Sequence, residues 1–433
     1  MTAMNHHPRA SSLNRVAFIA LAFSGIATFS VASWYVPSEW GDGVPDTSAE
    51  IATVQSAVET PQVKHLETPE PMYAIYMSQC VVGTPSFRDE LVQLIDETAL
   101  NAVVIDVKDF SGTIGFRTED PRFEDASLAT CGAGDMKAFI EHLHEKGIYA
   151  IARITVFQDP FYTKKFPEQA VQSVSRPGEP WKDHKGLSFV DVSSRPYWDY
   201  VVTLSKETYA LGFDELNYDY IRYPSDGPMK DALYVNPNRA EALEMFFAHL
   251  HDAVKPTGAI MSADVFGYVT VLSDDLGIGQ QLERTLPYFD YIAPMVYPSH
   301  YNKGFAGLQN PNDDPYKVVY TSMSEAVRRT ISTQSPVETL SSKPIMRTES
   351  VFIGGATTTR EVPTGTYTKD AYSKLKLRPW LQDFDYGKEY TAEDIRAQIQ
   401  ATYDAGLTSW YFWDPANKYD SLRQYLSNVS QTP

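Results

Sequence analysis

The sequence predicts an α/β fold, a (βα)8 TIM barrel with long loops and an insertion before the seventh strand, preceded by an N-terminal membrane segment and a linker. Three observations carry this. Across residues 72–433 short apolar runs alternate with helical patterns, and eight such runs can be counted. Most of them end in polar or aromatic residues, which a barrel gathers at one rim. The fourth run, Gly212 to Pro224, puts Glu215, Asn217, Asp219 and Ile221 on one face. Two unpaired carboxylates on a hydrophobic core would cost several kcal/mol, whereas the polar mouth of a barrel accommodates them. An open doubly wound sheet is the alternative, but no glycine-rich nucleotide loop follows any early strand.

In chain order, Val16 to Val36 is an uncharged apolar run long enough to span a bilayer. Arg9 and Arg15 precede it, and Glu39, Asp42, Asp46 and Glu50 follow, which places the N-terminus in the cytoplasm and the rest outside. The run is long for a signal peptide, and Trp34-Tyr35 stands where small residues mark cleavage. Residues 1–36 therefore read as a retained anchor in preference to a cleaved signal peptide, and in either case the domain is exported to the cell envelope or beyond. Residues 37–71, with scattered Pro, Ser, Thr and Glu, read as a flexible linker.

The barrel is expected over residues 72–433. Met72 to Met77 reads as the first strand, Pro85 to Thr98 as a helix, and Asn101 to Asp109 as the second strand. Asp135 opens a helix that Gly147 ends, before a third strand from Ile148 to Phe157. A helix from Tyr197 to Leu211 stops at Gly212 and leads into the acidic fourth strand, which Pro224 terminates. Arg239 to Val254 is the next helix, Ala259 to Phe266 the fifth strand, Tyr291 to Tyr297 the sixth, and Pro315 to Ile331 a further helix. Ser332 to Ser373 reads as an irregular insertion with a short strand at Pro344 to Thr348. Lys374 to Gln382, a helix from Thr391 to Ala405, and Thr408 to Trp413 complete the pattern.

The net charge of −18 excludes a phosphate-backbone partner, so no nucleic acid is expected. Aromatic residues make up 13% of the chain, including 27 Tyr, a composition suited either to stacking on sugar rings or to ordinary packing. Strand ends supply the candidate ligand contacts: Asp106, Lys108 and Asp109 on the second, Arg153 on the third, Glu215, Asn217, Asp219 and Arg222 on the fourth, and Asp264 on the fifth. Tyr297 and His300 close the sixth, Trp380 and Gln382 the seventh, and Trp413 the eighth. Asp106 with Lys108 also reads as a buried pair, and Arg153 as a counter-ion for Glu215 or Asp219. His142 with His144 and His249 with His251 are spaced i, i+2, which is wrong for a helical metal pair. They read as surface residues, and no metal or cofactor is expected. Cys80 and Cys131, an even pair outside the cytoplasm at the ends of neighbouring strands, read as a disulfide, with buried free thiols as the alternative.

Five phrases carry a resemblance: Val104 to Asp109, Asp214 to Pro224, Ser262 to Gly267, Ala293 to Tyr301 and Arg378 to Phe384. Together, and in this order, they resemble the putative glycoside hydrolase domain family, bacterial barrel proteins distantly similar to α-galactosidase and α-amylase type hydrolases. The resemblance runs from Tyr73 to Leu422 and implies a glycosidase acting on an envelope or extracellular polysaccharide or oligosaccharide, with a carboxylate on the fourth strand matched by Asp219. Glycosidic hydrolysis needs two carboxyl groups, one to attack or activate water and one to protonate the leaving oxygen. Asp219 suits the first role, Asp264 on the next strand the second, with Asp109 or Glu215 as substitutes. The alternative is a non-catalytic carbohydrate-binding protein on a degenerate glycosidase barrel.

Overall fold

The computed structural model describes residues 63–354 and 356–430. The membrane segment expected in residues 1–36 lies outside them, as does most of the linker. Among the described residues no helix is long and apolar enough to cross a membrane. The end of the linker is docked rather than free. The Leu66 N–H donates to Asp214 Oδ1 (2.6 Å), and the His65 ring stacks on Tyr209 with centroids 4.0 Å apart.

Eight parallel strands close into a barrel: β1 (Tyr73–Met77), β2 (Ala102–Lys108), β3 (Tyr149–Thr155), β4 (Glu215–Asp219), β5 (Ile260–Phe266), β6 (Tyr291–Met295), β7 (Trp380–Gln382) and β8 (Trp410–Trp413). Each strand pairs with its chain neighbour, and β8 closes on β1 through Tyr73 opposite Trp410. A helix follows every strand: α1 (Pro85–Asp96), α2 (Met136–Glu145), α3 (Arg195–Ala210), α4 (Arg239–Val254), α5 (Leu282–Thr285), α6 (Pro315–Ile331), α7 (Ala392–Asp404) and α8 (Asp420–Ser430). Strand alternation divides the apolar residues into two layers. Ile75, Val103, Ile105, Leu216 and Val265 face outward against helix residues such as Leu91, Phe139, Leu204 and Phe246, while Ala74, Tyr76, Val104, Ile151 and Tyr411 fill the barrel interior.

Helix starts follow capping chemistry. Asp135 accepts from the Ala138 N–H (3.0 Å), and Thr391 with Asp394 forms a reciprocal capping box. Gly212, with φ of 112°, turns the chain from α3 into β4, a conformation that L side chains resist.

Two elements differ from the sequence reading, and a third, between the fifth and sixth strands, was not assigned in it. The seventh strand shrinks to Trp380–Gln382 because Lys374–Lys376 is a 3₁₀ turn and Pro379 has no N–H to donate. Between β5 and β6 the chain spends most of its length in a loop, leaving α5 as a single helical turn. The insertion is largely an antiparallel hairpin of Pro344–Ile353 with Ala356–Thr368, edged by Gln334–Ser335, rather than an irregular segment with one short strand. Gly354-Gly355 between two runs rich in Thr and Val was the available signal.

His144 also departs from expectation. It is buried on the α2 face that packs on the barrel, with its Nε2 3.0 Å from Asp214 Oδ2. Its position four residues after Ile140 places it on the apolar side of the helix. Cys80 and Cys131 are joined as a disulfide with their Cα atoms 4.7 Å apart.

Candidate active site

The cavity at the carboxyl ends of the strands has a volume of about 620 Å³ and is open to solvent on one side. Each inward-pointing residue of β4 occupies a different depth. Glu215, at the start of the strand, is fully buried and accepts from Arg378 Nη1 (3.0 Å). Asn217, one step further, donates to Asp264 Oδ1 (2.9 Å) and to Ser262 Oγ (3.1 Å). Asp219, at the strand end, reaches the cavity.

Arg153 on β3 is the hub of the floor. Its Nε donates to Asp219 Oδ2 (3.1 Å), its Nη2 donates to the same oxygen, and its Nη1 donates to Asp106. The same Nε lies 3.8 Å from Asp264 Oδ2. Asp106 also accepts from the Tyr76 hydroxyl, while Asp219 Oδ1 accepts the backbone N–H of Tyr220. Asp219 is therefore an acceptor at both oxygens, as a carboxylate is.

Asp264 has a different setting. Its Oδ1 accepts from Asn217 and from the Trp380 indole N–H (2.8 Å), and only 1% of the residue is exposed. Burial first, then the charge of Asp219, push its carboxyl well above the ordinary carboxylate range, against the pull of Arg153. Burial also raises Asp106, opposed by Arg153 and Tyr76. Two carboxyl groups thus stand near one guanidinium nitrogen in unlike surroundings, Asp219 hydrogen-bonded by Arg153 and Asp264 by Asn217 and Trp380.

Of the residues read from the sequence, Asp219, Asp264, Arg153, Arg222, Tyr297, His300, Trp380 and Trp413 line the cavity together. The others lie elsewhere. Asp106 and Asn217 sit behind Arg153 and Asp264. Lys108, displaced by a register shift after Asp106, pairs with fully buried Asp159 (3.0 Å) and donates to the Thr155 carbonyl oxygen. Asp109 accepts from Ser111 within its own loop, and Gln382 accepts from Ser299 Oγ (2.8 Å). Glu215 belongs to the closed end of the barrel with Arg378, Tyr149 and Tyr411.

The expected aromatic group is partly packed. Trp380 and Tyr297 are buried, whereas half-buried Trp413 has ring contacts with Tyr297 (5.3 Å) and Phe384 (5.0 Å). The sequence reading missed Tyr76, Tyr220, Phe266, Tyr268, Tyr301 and Asn302, all of which line the cavity. Strict alternation would turn Tyr220 away from it. Instead the residue adopts φ of 48°, so the chain leaves the sheet and the ring swings into the mouth. At Gly267 a Cβ would stand 2.6 Å from the Met295 carbonyl oxygen, so only glycine lets β5 turn so close to β6.

Comparison with known proteins agrees with this architecture. The glycoside hydrolase domain of PgaB (BpsB) from Bordetella bronchiseptica is 14% identical, covering 82% of this chain and 99% of its own, with a TM-score of 0.53. Alpha-L-fucosidase isoenzyme 2 from Paenibacillus thiaminolyticus is 10% identical over 83% of this chain and 49% of its own, with a TM-score of 0.52. A hypothetical protein from Ruminiclostridium thermocellum is 27% identical over 47% of this chain and 98% of its own, with a TM-score of 0.39. At these identities the likeness to the first two is one of fold. No curated protein matches the chain. The family model described as "Putative glycosyl hydrolase domain" matches residues 74–346 and 356–419, and the chain belongs to that family.

Proposed function

We propose that the protein is a glycosidase that hydrolyses a polysaccharide or oligosaccharide at the barrel mouth, with Asp219 as nucleophile and Asp264 as acid/base. The observation that carries this reading is the shared Arg153. One nitrogen lies 3.1 Å from Asp219 and 3.8 Å from Asp264, while burial pushes the pKa of the second carboxyl well above the ordinary carboxylate range. We propose for this pair the retaining pathway, in which the two carboxyl groups stand about 5–5.5 Å apart. In the first step Asp219 bonds to the anomeric carbon as the glycosidic bond breaks, and the Asp264 proton goes to the leaving oxygen. In the second, Asp264 takes a proton from water, whose oxygen displaces Asp219 and restores both groups.

We further propose export to the cell envelope, supported by the apolar run from Val16 to Val36 and by a disulfide of the kind that oxidising compartments maintain. The test is reducing-end release from envelope and storage glycans by the full-length protein and by Asp219→Asn. Release by wild type alone supports the reading. Binding without release by either protein would instead make it a carbohydrate-binding barrel.

A further inference from the structure

Among the described residues three arginines are buried: Arg222, Arg329 and Arg378. Arg329 meets Glu283, and Arg378 meets Glu215 at 3.0 Å. Among the described residues no carboxylate pairs with Arg222. Its Nη1 donates to the Tyr223 carbonyl oxygen (2.9 Å), and its buried Nε has no acceptor among the described residues. The guanidinium carbon instead lies 4.7 Å from the ring centres of both Tyr220 and Phe266, which strip it of water while leaving it on the cavity wall. A desolvated, unpaired charge is expensive, and arginine is the side chain that holds planar oxyanions through two parallel hydrogen bonds.

Nearby acids leave this charge unanswered. Asp219 is engaged by Arg153, Asp264 accepts from Asn217 and Trp380 while burial disfavours its charged form, and Asp226 on the rim is exposed and screened by solvent. Consistent with this, burial lowers the Arg222 pKa despite the weaker pull of Tyr220, Asp219 and Asp226. We infer that the sugar bound in this cavity carries an acidic group, a uronate carboxylate or a sulfate or phosphate ester, and that Arg222 is the residue that receives it. This rests on the glycosidase reading and narrows its substrate to acidic glycans. Tyr220 is then more than a loop residue, since its left-handed turn lays the ring beside the guanidinium.

The experiment is calorimetric titration of the full-length Asp219→Asn protein, in which the glycan is not consumed. The probes are matched oligosaccharides of several linkages, each in neutral, uronate, sulfated and phosphorylated form. One acidic series should bind at least about tenfold more tightly than its neutral match, and the preference should shrink as salt is raised. Whether the uronate or an ester series wins identifies the group. Adding Arg222→Gln should remove roughly thirtyfold of the acidic binding and little of the neutral, and Arg222→Lys should restore part of it. Melting curves establish that both variants are folded. Competition of free uronate monosaccharide against the bound acidic probe needs no Arg222 variant and should displace it where the neutral sugar does not. Equal binding of neutral and acidic series would overturn this inference and leave the glycosidase reading standing. Failure of every series to bind would overturn both.

Discussion

The Trp380 indole N–H donates to Asp264 Oδ1 at 2.8 Å, so a residue of the short seventh strand fixes a carboxyl group of the fifth over the intervening sixth strand. With Asn217 on the same oxygen, Oδ1 is saturated and the proton of the neutral acid belongs on Oδ2, the oxygen that faces Arg153. One carboxyl oxygen is thus anchored while the other is available for proton transfer.

This arrangement has a signed pH dependence. Burial and Asp219 raise the Asp264 pKa in the folded state, so the native protein holds a proton that the unfolded chain releases near an ordinary carboxylate value of about 4. The stability from this group is fully present below that value and is lost as pH rises through the raised folded pKa. In Asp264→Asn the amide oxygen still accepts from Trp380 and Asn217 but does not titrate. The melting temperature of the variant relative to wild type should climb with pH across that window. A difference that stays constant with pH would show that Asp264 does not titrate there.

The same substitution should divide substrates. If Asp264 donates the proton, natural glycosides should lose about 10²–10⁴-fold in kcat/KM, while aryl glycosides with acidic leaving groups lose much less in the first step. Asp219→Asn should abolish turnover on both, because no leaving group substitutes for a nucleophile. Equal losses for both substrate types in Asp264→Asn would move the acid elsewhere. Wild-type turnover by Asp219→Asn would end the assignment of both residues.

How much of this was legible depended on whether strand alternation held. It held within β4, which is why Glu215, Asn217 and Asp219 share one inward face, but their separate depths depend on strand tilt, on Arg153 from β3 and on Arg378 from the segment before β7. It failed one residue later at Tyr220, where positive φ breaks the alternation without a glycine to announce it. Lys108 was misplaced for the related reason that a register shift follows Asp106. The Arg222 stack joins aromatic residues from the ends of β4 and β5, a juxtaposition that no local spacing encodes.

The half-buried Trp413 separates packing from recognition. Its contacts with Tyr297 and Phe384 contribute to both, and ring pairs of this kind are worth about 0.5–1.5 kcal/mol beyond their burial. Trp413→Ala should lower glycan affinity by at least about fivefold with a modest fall in melting temperature, whereas Trp413→Phe should recover much of both. Unchanged affinity together with a lowered melting temperature would make the residue a packing element alone.

Cys80 and Cys131 close a loop with a sequence separation of 51, for which the chain-entropy model gives about 4 kcal/mol. Replacing both by Ser should lower the denaturant midpoint without changing turnover per folded molecule, since neither residue lines the cavity. Wild type in reductant should match the double variant. Two alkylatable thiols in the non-reduced protein would mean that the bond does not form in solution.

The final prediction concerns the closed end of the barrel. Glu215 and Arg378 are both fully buried, at 0% side-chain exposure, and Arg378 also donates to the Tyr411 hydroxyl and lies over the Tyr291 ring. Burial raises the Glu215 pKa against the pull of Arg378, which identifies a pair whose partners are needed to make each other's charge tolerable. Arg378→Ala, which strands the carboxylate and opens space, should therefore cost about 3–5 kcal/mol of unfolding free energy. Arg378→Met with Glu215→Gln, which retains apolar volume and removes both charges, should recover most of that loss. In each variant the folded fraction should keep wild-type kcat and KM, because Asp219 and Asp264 are held by Arg153, Asn217 and Trp380 instead. Urea titration paired with activity per folded molecule checks this. A specific loss of kcat in the folded double variant would show that the charge of Glu215 reaches the carboxyl pair above it.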